Sequence, residues 1–397
     1  MCQPIHLYAY RSRHVLTLDD DLEEFRATVR RRAEARIGPF VVDLDRTQRF
    51  SRQVWDELRG LELFSLPFPT ELGGSGGAFL PFIVATEEVA RVGATPALYP
   101  GTTVQVAMTI QRYGSERQIQ EWVPQLASGA TIAAWAFSEP QTGSDPRQLE
   151  TTASVDGDCW VLSGQKLFIS FAAQADVALV FARTPGDGVG AFLVDTSDPG
   201  WSTGRPPELL SFGGVEPAPV FLDGVRVGPE GVIGDVTAGF DVMLAGEAQG
   251  KVRVASICVG IAQRAVDEAA RWALQRTHRG QPIGRKFPTV QALLGQMEAS
   301  VLGARALVRS VAAMIDSGLP VSKAAAAARL VAGRCAQETT SSALQICGAY
   351  GLTRELPLER LYREGKFYEV AQGVAEIQRI IVGREVLAEH GDVTGAP

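Results

Sequence analysis

The chain has 397 residues, 46% of them hydrophobic and 21% charged, with a formal net charge of −7. That length exceeds one small core and implies two or three packed units of ordinary globular composition. The acidic balance argues against a nucleic-acid or anionic-membrane partner, and no run of about 18 apolar residues is present to span a bilayer.

The first residues, Met1 to Val15, contain no apolar core of the kind a secretory signal carries. Cys2, Cys159, Cys258, Cys335 and Cys347 form no CxxC pair and have no histidine at ligand spacing. No metal is therefore expected, and reduced thiols in a cytoplasmic protein are the default expectation. From about residue 18 the texture is helical: Leu22, Phe25, Val29 and Ala33 recur at helical spacing, and Val54, Leu58 and Leu61 follow. Glu71-Leu72-Gly73-Gly74-Ser75-Gly76-Gly77 marks a loop.

Short apolar runs then take over, at Cys159–Leu162, Leu167–Ser170, Val177–Phe181 and Ala191–Val194, separated by Gly-bearing turns. Beyond about residue 240 the pattern is helical again. Val290, Leu293, Leu294, Met297, Val301, Leu307, Val311 and Met314 trace one stripe, which ends at Gly318 with Pro320 beyond. Ala324–Ala328 reads as more helix. The order helix, sheet, helix predicts an α+β protein: a helical domain over 1–130, a β-barrel or sandwich over 131–235, and a helical bundle of four helices over 236–397.

Two segments at the start of the β region carry chemistry. Trp135-Ala136-Phe137-Ser138-Glu139-Pro140 runs on to Gly143-Ser144-Asp145, and Ser163-Gly164-Gln165-Lys166-Leu167-Phe168-Ile169-Ser170 follows. Further on come Arg276-Thr277-His278-Arg279-Gly280-Gln281-Pro282-Ile283, Leu344-Gln345-Ile346-Cys347-Gly348 and Arg363 through Arg379. In order and spacing these resemble the signatures of the acyl-CoA dehydrogenases, FAD enzymes that desaturate acyl thioesters. The resemblance extends from Leu66 to Glu385.

It implies that Phe137, Ser138, Phe168, Ile169 and Ser170 meet the flavin ring, with hydroxyls for its polar edge and an aromatic for its face. Gly143 and Ser144 would lie close by. Arg276 would reach the pyrophosphate of a second chain, and Gln345 and Gly348 its ADP half. A homodimer or homotetramer with a shared FAD site follows from that.

Departures from the family pattern bear on the reaction. Gln372 occupies the position of the glutamate base, and an amide cannot take a proton. The other family location for the base matches Gly250. Ala248 and Lys251 replace an acidic residue and an arginine on the substrate side. The altered pair weakens the expected grip on the nucleotide end of CoA and points to a carrier-protein thioester or a non-CoA substrate, with acyl-CoA or an acyl-carrier protein as the expected partner. Arg279 replaces an aromatic, and Val374 and Glu376 replace a Thr and a Gln, so Glu376 must turn away or meet Arg279 or Arg379.

A relocated base is one solution, with Glu247 three residues before Gly250 or Glu369 three before Gln372. A substrate that needs no base is another. A flavin-dependent monooxygenase or oxidase (hydroxylation, epoxidation or decarboxylative oxidation) and a catalytically silent FAD-binding role remain open alternatives. Routine β-oxidation is disfavoured, since losing a general base costs about 10²–10⁴-fold in rate. The expected reaction is dehydrogenation of an unusual acyl thioester in a specialised pathway, with an electron-transfer flavoprotein or O₂ taking the electrons.

Overall fold

The computed structural model describes residues 18–143 and 148–391. Helices α1 (Asp20–Arg36), α2 (Val41–Thr47), α3 (Arg52–Gly60), α4 (Phe79–Val92), α5 (Ala94–Tyr113) and α6 (Glu116–Ala127) come first. Local chemistry fixes their ends. The Asp19 side chain accepts from Leu22 N at the start of α1, and Asp20, Asp21 and Glu23 complement the helix dipole. Ser115 and Gln118 form a reciprocal capping box on α6.

Strands β1 (Ala133–Ala136), β2 (Thr152–Asp156), β3 (Cys159–Ile169), β4 (Val177–Thr184), β5 (Gly188–Asp195), β6 (Trp201–Thr203) and β7 (Ala218–Val227) form one curled sheet. Its order is β1-β4-β2-β3-β7-β6, with β5 paired to β4. The β1–β4 pairing is parallel, whereas β3–β7 and β4–β5 are antiparallel. The long helix α7 (Gly239–Gln275) follows, then a small hairpin of β8 (Thr277–His278) and β9 (Gln281–Pro282). Helices α8 (Ile283–Lys286), α9 (Pro288–Asp316), α10 (Ser322–Cys347), α11 (Leu358–Val370) and α12 (Ala375–His390) complete the chain.

Among the described residues two compact units emerge. One comprises Val42–Ala78 and Leu98–Gly250, the other 18–41, Phe79–Ala97 and 251–391. The first is built on the sheet, whose central strand β4 is buried along nearly its whole length, as expected where both faces are covered. An aromatic cluster of Phe50, Trp55, Tyr99 and Phe171 packs beside it.

In the second unit α10 packs against α9, α11 and α12, and α4 lies between α1 and α9. Gly260 on α7 permits close approach to α4, because a Cβ there would lie 2.5 Å from Glu87 O. Fully buried Glu88 on α4 accepts from Arg26 (2.9 Å) and Arg30 (2.6 Å) on α1. Asp316, at the end of α9, accepts from Phe79 N and Leu80 N at 2.5 and 3.0 Å, so it caps α4 across the unit.

The buried apolar residues of α9 are Met297, Val301, Ala304, Val308, Val311 and Ala312, with Arg309 buried beside them. This set differs from the stripe expected from sequence. Leu293 is exposed and Leu307 half-buried, because small Ala304 and Val308 turn the contact face toward α10. Large side chains attract a pattern reading, but close helix packing selects small ones.

Candidate functional site

In the first unit the chain leaves β1 at Phe137-Ser138-Glu139 and meets the end of β3. Leu167 N donates to Ser138 O at 2.8 Å, which ties the two segments together. Beneath this junction lies a sealed ion pair. Lys166, 0% exposed, donates from Nζ to Glu139 Oε1 (2.7 Å), Phe137 O (3.2 Å) and Phe181 O (2.6 Å). All three ammonium protons are therefore used.

Glu139 also accepts from Glu150 N (2.6 Å) and Thr151 N (3.1 Å), closing the loop that returns the chain to β2. Burial pulls the Lys166 ammonium down to about 8, against the pull of Glu139. Burial alone would raise the Glu139 carboxyl, yet Lys166 and the hydrogen bonds outweigh it and hold the group below its usual range.

The register of β3 against β7 slips between Lys166 and Ile169. In that bulge Phe168 sits at φ 57°, in the left-handed region, with 57% of its surface exposed. A bulky residue there costs about 1–3 kcal/mol in backbone strain, and packing within the unit returns little of it. The bulge instead presents an aromatic face outward. Ile169 is buried and pairs with Ala218, so only its main chain faces the same way. Phe137, Ser138 and Ser170 are half-buried.

Gly143 is exposed, and a Cβ there would meet nothing within 4 Å. Ser144 and Asp145 lie outside the described residues. The buried Trp135 indole N–H has no partner among the described residues, an orphan donor of the kind a bound ligand satisfies. An exposed aromatic on a strained bulge, two hydroxyls beside it and an orphan donor suit the apolar face and polar edge of a flavin.

The second unit carries the other expected residues. Arg276 follows directly on α7 with its side chain exposed, and its carbonyl accepts from Ile283 N at 2.8 Å to close the β8–β9 hairpin. Gln345 is exposed in the last turn of α10. Gly348 follows at φ 60°, ψ −141°, a conformation open essentially to glycine alone. The rings of Trp272 and Tyr350 meet at 5.0 Å and bring the end of α7 to the turn after α10. Arg276, Gln345 and Gly348 therefore share one region of this unit.

Gln372 lies in the turn between α11 and α12, half-buried, at φ 58°, with Gly373 at φ 84°. Glu369, in the last turn of α11, is ion-paired to Lys366. Glu376 pairs with Arg379 at 3.0 Å on the exposed side of α12, which settles how that carboxylate is accommodated. Glu247 and Lys251 lie one turn apart on α7, each half-buried.

The sequence reading missed two features. The Glu139–Lys166 pair was inside the motifs, but nothing in the sequence joined the two charges. Arg329, 2% exposed, donates from Nη2 to Tyr368 O and to Ala371 O (2.7 Å) beside Gln372. A lone charge in phase with the buried Ala325, Ala328, Ala332 and Ala336 was its signal. Among the described residues there is no group of three or more His, Cys, Asp or Glu able to hold a metal, and no helix long and apolar enough to cross a membrane.

Family models match the chain along most of its length: the acyl-CoA dehydrogenase N-terminal domain at residues 19–130, its middle domain at 134–225 and its C-terminal domain at 237–387. The human mitochondrial short-chain specific acyl-CoA dehydrogenase is 32% identical over 391 residues, spanning 96% of this chain and 95% of the human one. The butyryl-CoA dehydrogenase structure from Megasphaera elsdenii has a TM-score of 0.90 at 29% identity, covering 94% of this chain and 99% of that one. An acyl-CoA dehydrogenase from Bacillus anthracis, solved with FAD, has a TM-score of 0.87 at 26% identity, covering 94% of this chain and 68% of that one. The chain belongs to the acyl-CoA dehydrogenase family, flavin oxidoreductases whose cofactor is FAD.

Proposed function

We propose that this flavoenzyme dehydrogenates an acyl thioester, carrier-bound or otherwise unusual, in a specialised pathway, and that the α-proton is not taken at residue 372. One observation supports the absence of a base there: residue 372, held in the left-handed region of the turn between α11 and α12, is an amide. The three sequential domains of the family, over 1–130, 131–235 and 236–397, are part of the same proposal.

When bound, FAD supplies a two-electron acceptor for the hydride from the substrate's β-carbon. The chain's own residues do the rest. Phe137 and Phe168 wall the ring, the Ser138 and Ser170 hydroxyls donate to its polar edge, and Gly143 lies against it. Arg276, Gln345 and Gly348 hold the nucleotide half of FAD in a second copy of the chain. Lys251 lies on the substrate side.

Two carboxylates stand as candidate relocated bases. Glu247 sits on the face of α7 that holds Gly250, three residues on, and is half-buried. Glu369 lies three residues before Gln372 in the last turn of α11, ion-paired to Lys366. The Gln372 amide is left to hydrogen-bond the substrate.

The test mixes the FAD-loaded protein anaerobically with matched acyl-carrier-protein and acyl-CoA thioesters and follows bleaching of the flavin. The carrier-bound form is expected to bleach faster. Whichever of Glu247→Gln and Glu369→Gln removes the base is expected to slow bleaching by about 10²–10⁴-fold, the usual worth of a general base, with the other near wild type. No bleaching with any thioester, together with rapid reoxidation of photoreduced flavin by O₂, would replace this reading with oxygen chemistry. Unchanged rates in both glutamate variants would discard the relocated base.

A further inference from the structure

Arg329 is a buried cation that the reaction chemistry does not use. Two glycines bring it to its place. A Cβ on Gly365 of α11 would lie 3.2 Å from Ala336 O and from Thr340 Oγ1, so α10 and α11 pack closely there. A Cβ on Gly333, one turn beyond Arg329, would lie 2.7 Å from Arg329 Nη1, so a larger residue there would make the guanidinium shift from its present place.

The head group then reaches the C-terminus of α11, where the last carbonyls of a helix have no partners within it. It donates to Tyr368 O in the final turn and to Ala371 O at the cap position, and its charge complements the negative end of the helix dipole. The face of Tyr368 lies 5.8 Å from the guanidinium carbon. The next two residues, Gln372 and Gly373, are both in the left-handed region. On the far side of the turn Gln378 Nε2 donates to Gly373 O at 3.3 Å. The turn is thus clamped at both ends, and the strained residue between the clamps is the one at the family's base position.

We propose that Arg329 is a positioning residue: by capping α11 it holds the 371–373 turn in the conformation that presents Gln372 to the substrate. This rests on the reading that Gln372 faces the substrate. A left-handed non-glycine residue persists only where its surroundings over-determine it, and the clamp provides that constraint. Capping of α11 is independent of proton transfer and serves equally whether the base is Glu247, Glu369 or none at all.

The test compares Arg329→Lys and Arg329→Gln in the full-length, FAD-loaded protein. Amide hydrogen exchange is read over residues 368–374 and over α9, and kcat and KM are measured for the best thioester. Arg329→Gln is expected to speed exchange in 368–374 while α9 stays protected. It is also expected to lower kcat by about 10²-fold, the usual effect of misplacing a group by about 1 Å, with KM changing less. Arg329→Lys, which keeps the charge and can still reach one carbonyl, is expected to recover part of both; it also carries the experiment if the glutamine variant does not fold. Unchanged exchange over 368–374, or equal loss over α9 with no recovery by lysine, would reduce Arg329 to general packing and overturn the inference. If the wild type oxidises no thioester, the proposed function falls, and the exchange pattern still decides the role of Arg329.

Discussion

Lys166 in the sheet and Arg329 in the helical bundle are both sealed from solvent, and both donate to two main-chain carbonyls beside a proposed site residue. They differ in how their charge is met. Lys166 has Glu139 at 2.7 Å and every proton engaged. For Arg329, no carboxylate among the described residues lies within ion-pair distance, and its Nε has no hydrogen-bond partner. Burial accordingly pulls the Arg329 guanidinium below its usual range. A neutralised pair suits the floor of a flavin shelf, where a net charge would polarise the cofactor. A single cation suits a helix C-terminus, whose carbonyls supply the negative pole.

The sharpest way to break this comparison is to remove each cation in turn. Lys166→Met strands the Glu139 carboxylate in the interior and is expected to cost about 3–5 kcal/mol. Arg329→Met strands only carbonyls and also removes an ill-satisfied charge, so a loss of about 1–3 kcal/mol is expected. Restoring neutrality with Lys166→Met/Glu139→Gln should recover much of the larger loss. Urea unfolding at pH 7 gives all three values. If the arginine variant proves the costlier, the carbonyls rather than the charge balance dominate burial here.

A smaller effect sharpens the same contrast. The folded Glu139 carboxyl titrates below its unfolded value of 4.5. Near that pH the unfolded chain binds more protons, so stability from the pair is complete above 4.5 and is lost as pH falls through the folded value. Wild type should lose stability on this acid limb, and Lys166→Met/Glu139→Gln should lose less, the remainder coming from carboxylates such as Glu88, held low in the same way despite its burial. Unfolding curves at pH 7 and pH 4 test it. Equal acid sensitivity in both proteins would mean that Glu139 does not hold its charge in the folded state.

Sequence made the element order and the family motifs legible, because hydrophobic period and motif order are local properties. Phe137, Ser138, Phe168 and Ser170 were singled out through the resemblance those motifs carry. The left-handed φ of Phe168 was not legible, since a bulge depends on the register between β3 and β7, which are separated by more than 40 residues of chain. The stripe on α9 drifted toward large residues because packing against α10 rewards alanine. Arg329 was hidden in an alanine run, and its partners lie about 40 residues on, past a glycine whose role appears only when the helices touch. What stayed out of reach was fixed in each case by an approach between segments distant in sequence.

The smallest expected effect on stability belongs to Phe168, and it separates the shelf's own energetics from its purpose. Phe168→Gly removes left-handed strain worth about 1–3 kcal/mol, against about 1 kcal/mol of added chain entropy. The FAD-free variant should therefore be no less stable than wild type, because so little of the side chain is packed. Its affinity for FAD should fall, since the glycine offers the ring no face. Thermal melting without FAD and fluorescence titration with it read the two quantities separately. A variant that melts lower in the absence of FAD would show that Phe168 packs within the sheet unit after all. Unchanged FAD affinity would remove it from the flavin wall and leave the strain of its bulge without a purpose at this site.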